Sequence, residues 1–226
     1  MNTEQRKLIS QVLISGFLLW FFAIIATLLV SVTENQTRDK IHENERLFLL
    51  KNLYALLPPE KFNNDIAEDF RDLPASVLLG TSKPARVYRA RLYNQPIAAV
   101  INSIAPDGYS GKIHLLVGIY KDGSLAAVRV VKHKETPGLG DGIELRKSDW
   151  ILGFNGKSLD NPASEEIWKV KRDGGEFDQF TGATITPRAI VKAVRSTLLY
   201  YQQNNEQIFQ IYDKQSGNLQ KRSVDE

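Results

Sequence analysis

Between Leu8 and Thr33 no residue is charged, and the centre of this run, Phe17 to Ala26, is apolar at every position. A bilayer core is crossed by about 20 apolar residues of helix, so the pattern predicts a single membrane-spanning helix with room for tilt. The apolar part of a cleaved secretory signal is only about 7–15 residues long. A buried core helix seldom lacks every charge over such a length. The expectation is therefore an uncleaved anchor. Arg6 and Lys7 precede the run, while Glu34, Arg38, Asp39 and Lys40 follow it. The positive-inside rule then keeps the short leading tail in the cytoplasm and exports the remainder.

Beyond the anchor the period of the pattern changes twice. Residues 35–57 read as a helix, with Ile41, Leu47, Leu50, Leu53, Tyr54 and Leu57 on one side and Glu43, Glu45 and Arg46 elsewhere. Pro58 and Pro59 end it, because neither can continue the hydrogen-bond ladder. Asp65, Glu68, Asp69, Arg71 and Asp72 then form a charged stretch, read as a solvated face. Short runs rich in Val, Ile and Tyr follow at 87–93, 97–104, 113–120 and 125–132, the signature of strands. The last two are joined by Lys121-Asp122-Gly123-Ser124, a compact hairpin turn. Residues 106–111, Pro-Asp-Gly-Tyr-Ser-Gly, turn the preceding pair. A further strand is expected at 167–171. A helix is expected at 187–203, with Ile190, Val191, Val194, Leu198 and Tyr201 on one face.

Strands grouped ahead of a helix define an α+β fold: an antiparallel sheet with packed helices, preceded by one N-terminal transmembrane helix. The expected division is a tail at 1–7, an anchor at 8–33, a helical connecting segment at 34–83, a soluble domain at 84–212 and a polar tail at 213–226.

Composition narrows the chemistry. The chain has 226 residues, 42% of them hydrophobic, enough for one sizeable core or two small ones once the anchor is set aside. Its net charge of +3 is spread along the whole length without a basic stripe, which argues against a nucleic-acid partner. It contains no cysteine, so disulfides, thiolate zinc, iron–sulfur clusters and cysteine nucleophiles are all excluded. His42, His114 and His133 show no metal-ligand spacing, and no metal site is expected. Trp150 and Trp168 read as packing residues.

Asp178-Gln179-Phe180-Thr181-Gly182-Ala183-Thr184-Ile185-Thr186-Pro187 leads a glycine-containing, hydroxyl-rich loop straight into the last helix. Such a start offers unpaired N–H groups and the positive end of the helix dipole to an anion, with phosphate the natural ligand. Gly182 and Ala183 permit close approach, and Thr181 and Thr186 add hydroxyl donors. Ser and Thr are equally common at helix starts as simple caps, so these residues by themselves leave phosphate site and capped helix both open. A second loop, His133-Lys134-Glu135-Thr136-Pro137-Gly138-Leu139-Gly140, makes a tight turn with Leu139 as an apolar surface.

The first of these stretches resembles the flavinylation site of FMN-binding domains in the Rnf/Rsx electron-transport complex and in the sodium-translocating NADH:quinone reductase. The second is similar to the Glu-Thr-Pro-Gly-Leu-Gly loop of the same family. The resemblance covers nearly the whole chain, and its length favours the G-type subunits of Rnf/Rsx over the C-type subunits of the quinone reductase. It implies an FMN joined covalently to Thr184 through a phosphoester. Asp178 would open the motif, Thr181, Gly182, Ala183 and Thr186 would surround the phosphate, and Glu135, Thr136, Pro137, Gly138, Leu139 and Gly140 would lie beside the ring. It also implies a periplasmic flavin transferase that uses FAD and magnesium, and membrane and peripheral partner subunits in a bacterial inner-membrane complex. That complex couples electron flow between ferredoxin and NAD to ion movement, or keeps a redox-sensing regulator reduced. The chain would be an electron relay with no organic substrate of its own. The competing readings are a flavin-free, single-span periplasmic scaffold and a noncovalent FMN binder.

Overall fold

The computed structural model describes residues 3–161 and 165–210. The polar tail expected at 213–226 lies outside the described residues.

Helix α1 runs unbroken from Thr3 to Leu56, so the two helices expected at 8–33 and 35–57 are one. The physical reason is composition: from Phe17 to Leu57 there is neither glycine nor proline to interrupt the ladder, and Pro58 supplies the stop. The portion up to Phe48 forms one compact unit, and Leu49 onward forms another. In the first unit Phe17, Trp20, Phe22, Leu29 and Val30 are each about 60% exposed, which water alone would not tolerate as a continuous collar. The helix is long and apolar enough to cross a membrane.

The second unit is built on a five-stranded antiparallel sheet in simple sequence order: β1 (Phe70–Leu73), β2 (Ala85–Leu92), β3 (Gln95–Ala105), β4 (Ile113–Tyr120) and β5 (Leu125–Lys132). Strands β2 to β5 appear where the sequence places them. Their side chains alternate between two buried faces, as the pleat requires. Val87, Ala99, Ile101, Leu115, Val117, Ile119 and Val128 belong to one core, together with Ile190, Val194 and Leu198 of helix α2 (Ile185–Phe209). Tyr88, Ala98, Val100, Leu116 and Ala127 face the other way, onto Leu53, Leu56 and Leu57 at the end of α1. The hairpin between β2 and β3 turns on Tyr93 and Asn94, both left-handed (φ 49° and 65°), the geometry of a two-residue primed turn.

Three sequence expectations are corrected. The stretch at 167–171 is not a strand. A 3₁₀ turn occupies Glu165–Ile167, and only Val170 forms a bridge, to Phe177, because Gly174 (φ 84°) folds the chain back at once. The final helix is longer than 187–203 at both ends. The charged stretch around Asp69 is not merely a solvated face, since it supplies edge strand β1 and a partly buried anchor. Asp69 sits between Arg89 (2.7 Å) and Arg91 (2.8 Å). Those guanidiniums reach the last carbonyls of α2, Arg89 to Gln210 at 3.2 Å and Arg91 to Phe209 at 3.4 Å. Cations at a helix C-terminus satisfy its orphan carbonyls and complement its dipole. β-Strand periodicity does not reveal this role, because the partners are distant in the chain.

The Arg91 side chain is only 7% exposed, so removing its counter-charge leaves a buried cation. Asp69→Ala is expected to cost about 3–5 kcal/mol. Asp72→Ala, which breaks an open pair with Arg86 whose side chains are 42% and 49% exposed, is expected to cost less than about 1 kcal/mol. Urea denaturation of the two variants beside the parent chain measures both.

Candidate functional site

The two loops singled out in the sequence meet at the start of α2. The first makes a β-turn over Phe180–Ala183, closed by the Ala183 N–H donating to the Phe180 carbonyl at 3.1 Å. Gly182 takes φ 79°, the left-handed value that the third position of such a turn needs, and there only Gly is free of strain. The Phe180 ring is laid over Gly142, where an added Cβ would come within 3.1–3.3 Å of it. Its edge meets Trp150 with ring centroids 5.4 Å apart. The Trp150 indole N–H in turn donates to the Asp178 carbonyl at 2.7 Å. The loop is thereby held from beneath by aromatic packing.

Thr184 follows as the N-cap residue of α2. It adopts a right-handed helical conformation (φ −72°, ψ −28°) and makes no side-chain capping bond. An N-cap threonine normally has extended backbone and aims its oxygen at the second or third amide of the helix. Thr184 does neither, so the capped-helix explanation for a threonine here does not apply. No acidic residue lies in the first turn, and Pro187, placed within that turn, removes a donor the ladder does not use. The mouth of α2 therefore presents free N–H groups, a half-buried hydroxyl and the positive dipole end together.

The second loop is anchored by a buried carboxylate. Glu135 is 4% exposed and Thr186 fully buried, and the Thr186 hydroxyl donates to Glu135 Oε2. The other oxygen of Glu135 accepts the Ser110 N–H at 3.0 Å, and the Glu135 N–H donates to His133 Nδ1 at 3.1 Å. That last bond makes Nδ1 the acceptor, so the neutral ring carries its proton on Nε2, which faces Glu144 at 2.9 Å. Arg146, and with it His133, holds the Glu144 carboxyl below the usual carboxylate range. After Glu135 the chain turns through Gly138 (φ 78°). The Gly138 N–H donates to the buried Asp141 at 2.8 Å, and the Leu139 and Gly140 amides return to the Thr136 carbonyl at 3.1 Å. Leu139 is left about half exposed, and a Cβ at Gly182 would lie 3.7 Å from its Cδ2.

Of the residues marked in the sequence, Glu135, Gly140 and Thr186 are in mutual contact, and Leu139 lies beside Gly182. Thr136, Pro137 and Gly138 are exposed on the turn, Thr181 is exposed on the other loop, and Ala183 is half-buried. Asp178 stands apart on the surface, paired with Lys171 at 2.6 Å. Sequence reasoning missed the roles of Asp141, Ser110, Gly142 and the His133–Glu144 pair. Ser110 lies in a turn, Asp107–Gly111, that also resembles the family's turn before the sheet and reads as structural, and its contact with Glu135 spans 25 residues, beyond any local pattern.

The residues present suit a phosphate group. Thr184 has a hydroxyl outside the capping network, the first turn of α2 contains no acidic residue of its own, the neighbouring Glu135 carboxylate is turned to Thr186 and Ser110, and Gly182 leaves room in front of Thr184. The fold is that of an α+β domain with a candidate anion site at a helix start, and residues 108–199 match the FMN-binding domain family. Residues 1–56 match the RnfG N-terminal region. The chain is 48% identical over 197 residues to the G subunit of the ion-translocating oxidoreductase complex of Pseudoalteromonas atlantica, covering 86% of this chain and 90% of that protein. The protein of the same name from Pseudomonas aeruginosa is 47% identical over 194 residues (86% and 90%), and that from Vibrio cholerae 45% over 194 residues (86% and 92%). The chain belongs to this family, the G subunits of ion-translocating oxidoreductase complexes.

Two outcomes follow from the site's geometry. A methyl group at position 140 would lie 2.9 Å from Glu135 Oε2 and 3.0 Å from Thr186 Oγ1, so Gly140→Ala is expected to cost about 1–3 kcal/mol, read as a lower urea midpoint. Glu144, with its folded value depressed, contributes stability that is present above its unfolded pKa of about 4.3 and is lost as pH falls through the lower folded value. The stability difference between the parent and Glu144→Gln should accordingly be clear at neutral pH and shrink on acidification below that range.

Proposed function

We propose that this chain is a membrane-anchored electron carrier whose FMN is joined to Thr184 by a phosphoester. The observation that carries the reading is the Thr184 hydroxyl at the mouth of α2, in a capping position without a capping bond. Attachment forms one P–O bond from Thr184 Oγ1 to the FMN phosphorus and breaks the pyrophosphate bond of FAD. AMP leaves, and the hydroxyl proton is released to solvent. A periplasmic flavin transferase with magnesium would supply this step. FMN, once bound, provides one- and two-electron transfer at a potential set by its surroundings.

The chain's own contribution is to hold the phosphate and to shape the space around the ring. The α2 amides and Thr181, Gly182 and Ala183 would surround the phosphate. Thr136, Pro137, Gly138 and Leu139 would border the ring, with Leu139 giving it an apolar face. Glu135, Gly140 and Thr186 support these loops from behind. Asp178, paired outward with Lys171, is available at the surface for recognition during maturation.

The apolar helix would anchor the chain once in the bacterial inner membrane, and Arg6 and Lys7 ahead of the run favour a cytoplasmic tail with the domain in the periplasm. Membrane and peripheral subunits of the same complex would exchange electrons with the flavin, in a pathway that links ferredoxin and NAD to ion movement. The names of the similar proteins support that assignment.

Thr184→Val replaces the hydroxyl by a methyl of similar size and is expected to abolish covalent flavin while leaving the urea midpoint nearly unchanged. Ultraviolet fluorescence on a denaturing gel and an intact mass of the matured chain are the measurements. Fluorescence persisting in the variant would refute the assignment. A yellow parent protein that loses its colour on denaturation would indicate a noncovalent flavin, and a colourless one a scaffold.

A further inference from the structure

The acceptor loop contains three hydroxyls, and the structure treats them differently. Thr181 is exposed on the turn, three residues ahead of the helix mouth. Thr186 is fully buried, with its hydroxyl donated to Glu135. Thr184 alone stands at the mouth with its oxygen outside the capping network. Glu135 does more than engage Thr186. Its second oxygen holds the Ser110 N–H, and its own N–H is held by His133, so one buried carboxylate ties together the 106–111 turn, the 133–140 loop and the first turn of α2. Gly140 closes over the pair so tightly that a methyl group there would collide with both partners.

We propose that Glu135 is a positioning residue for flavinylation: through Thr186 it pins the first turn of α2, so that Thr184 is presented as the single reactive hydroxyl. This rests on Thr184 being the flavin acceptor. A buried carboxylate also makes the Thr186 position hostile to a phosphate, because two negative charges would share a poorly solvated space. Neither Glu135 nor Thr186 needs to touch the cofactor for this role.

The test uses the full-length chain matured with a flavin transferase, FAD and magnesium, and follows the rate of FMN addition by intact mass with peptide mapping of the site. Thr186→Val keeps the shape but loses the bond, and Glu135→Ala loses the carboxylate. Each is expected to load at least tenfold more slowly than the parent. Thr186→Ser, which keeps the hydroxyl, should load at the parental rate, and the double variant Glu135→Ala/Thr186→Val no more slowly than the slower single one. In the unloaded protein, hydrogen exchange of the 183–186 amides should rise at least tenfold in Thr186→Val and remain parental in Thr186→Ser. If Glu135→Ala does not fold, the valine and serine pair at 186 decides the matter alone. Parental loading in Thr186→Val, or equal slowing in Thr186→Ser, overturns the inference and leaves the flavin assignment standing. A parent chain that gains no FMN at Thr184 overturns both.

Discussion

An antiparallel sheet that is apolar on both faces has to be covered twice, and this domain covers it with helices from opposite ends of the chain. The last two turns of α1 close one face through Leu53 and Leu56, and α2 closes the other through Ile190, Val194 and Leu198. Burying both faces removes large aliphatic side chains from water at roughly 25 cal/mol per Å² of apolar surface. The polar features of the site are built on the rigidity this provides. A helix fixed along its whole length against β3 and β4 has a fixed mouth.

Both ends of α2 are then tied by charge. At the C-terminal end Asp69 gathers Arg89 and Arg91, and the arginines hold the last carbonyls. At the N-terminal end the buried Glu135 carboxylate holds Thr186. Midway, the Thr197 hydroxyl, which donates to the Ala193 carbonyl at 2.8 Å, accepts from the Ser103 hydroxyl of β3 at 2.8 Å in a buried pair that ties the helix to the sheet. Buried polar contacts of this kind carry a desolvation cost, and they survive because every partner is matched. Their combined effect is to set the helix mouth relative to the Glu135–Gly140 loop. That register places the side chain of Leu139 beside Gly182.

The final turns of α1 are structural members of the cofactor domain. Leu53, Leu56 and Leu57 are buried in its second core, and Arg129 of β5 reinforces that end of the helix by donating to the Ala55 carbonyl at 3.0 Å. The preceding apolar portion of the same helix has the length and composition to cross a membrane. Along this one unbroken element the pattern changes from a long uncharged, apolar run to an apolar stripe on the side that meets the sheet. Family membership among the G subunits and the FMN-binding domain agree with that division of labour between an apolar segment and a cofactor-bearing domain.

Local pattern was enough to mark the apolar helix, four of the five strands and the Asp122-Gly123 hairpin, because each depends on periodicity or turn chemistry within about ten residues; the two motif loops stood out by their resemblance to a family, since turn chemistry alone left a phosphate site and a capped helix both open. It also separated Trp150 and Trp168 as packing residues, and both lie against Phe177 or Phe180 and Phe154. Strand β1 was hidden by its charges, since an edge strand has one free side and Phe70-Arg71-Asp72-Leu73 lacks a clean apolar alternation. At 167–171 the chain pairs only through the single bridge from Val170 to Phe177, because Gly174 turns it back before a strand can extend. Whether Thr184 caps its helix, which carboxylate is buried, and which hydroxyl stays unengaged were decided only by tertiary structure. These depend on contacts across 25 to 51 residues, between Ser110 and Glu135 and between Glu135 and Thr186, and a hydrogen-bond partner so far along the chain leaves no periodic trace in the sequence.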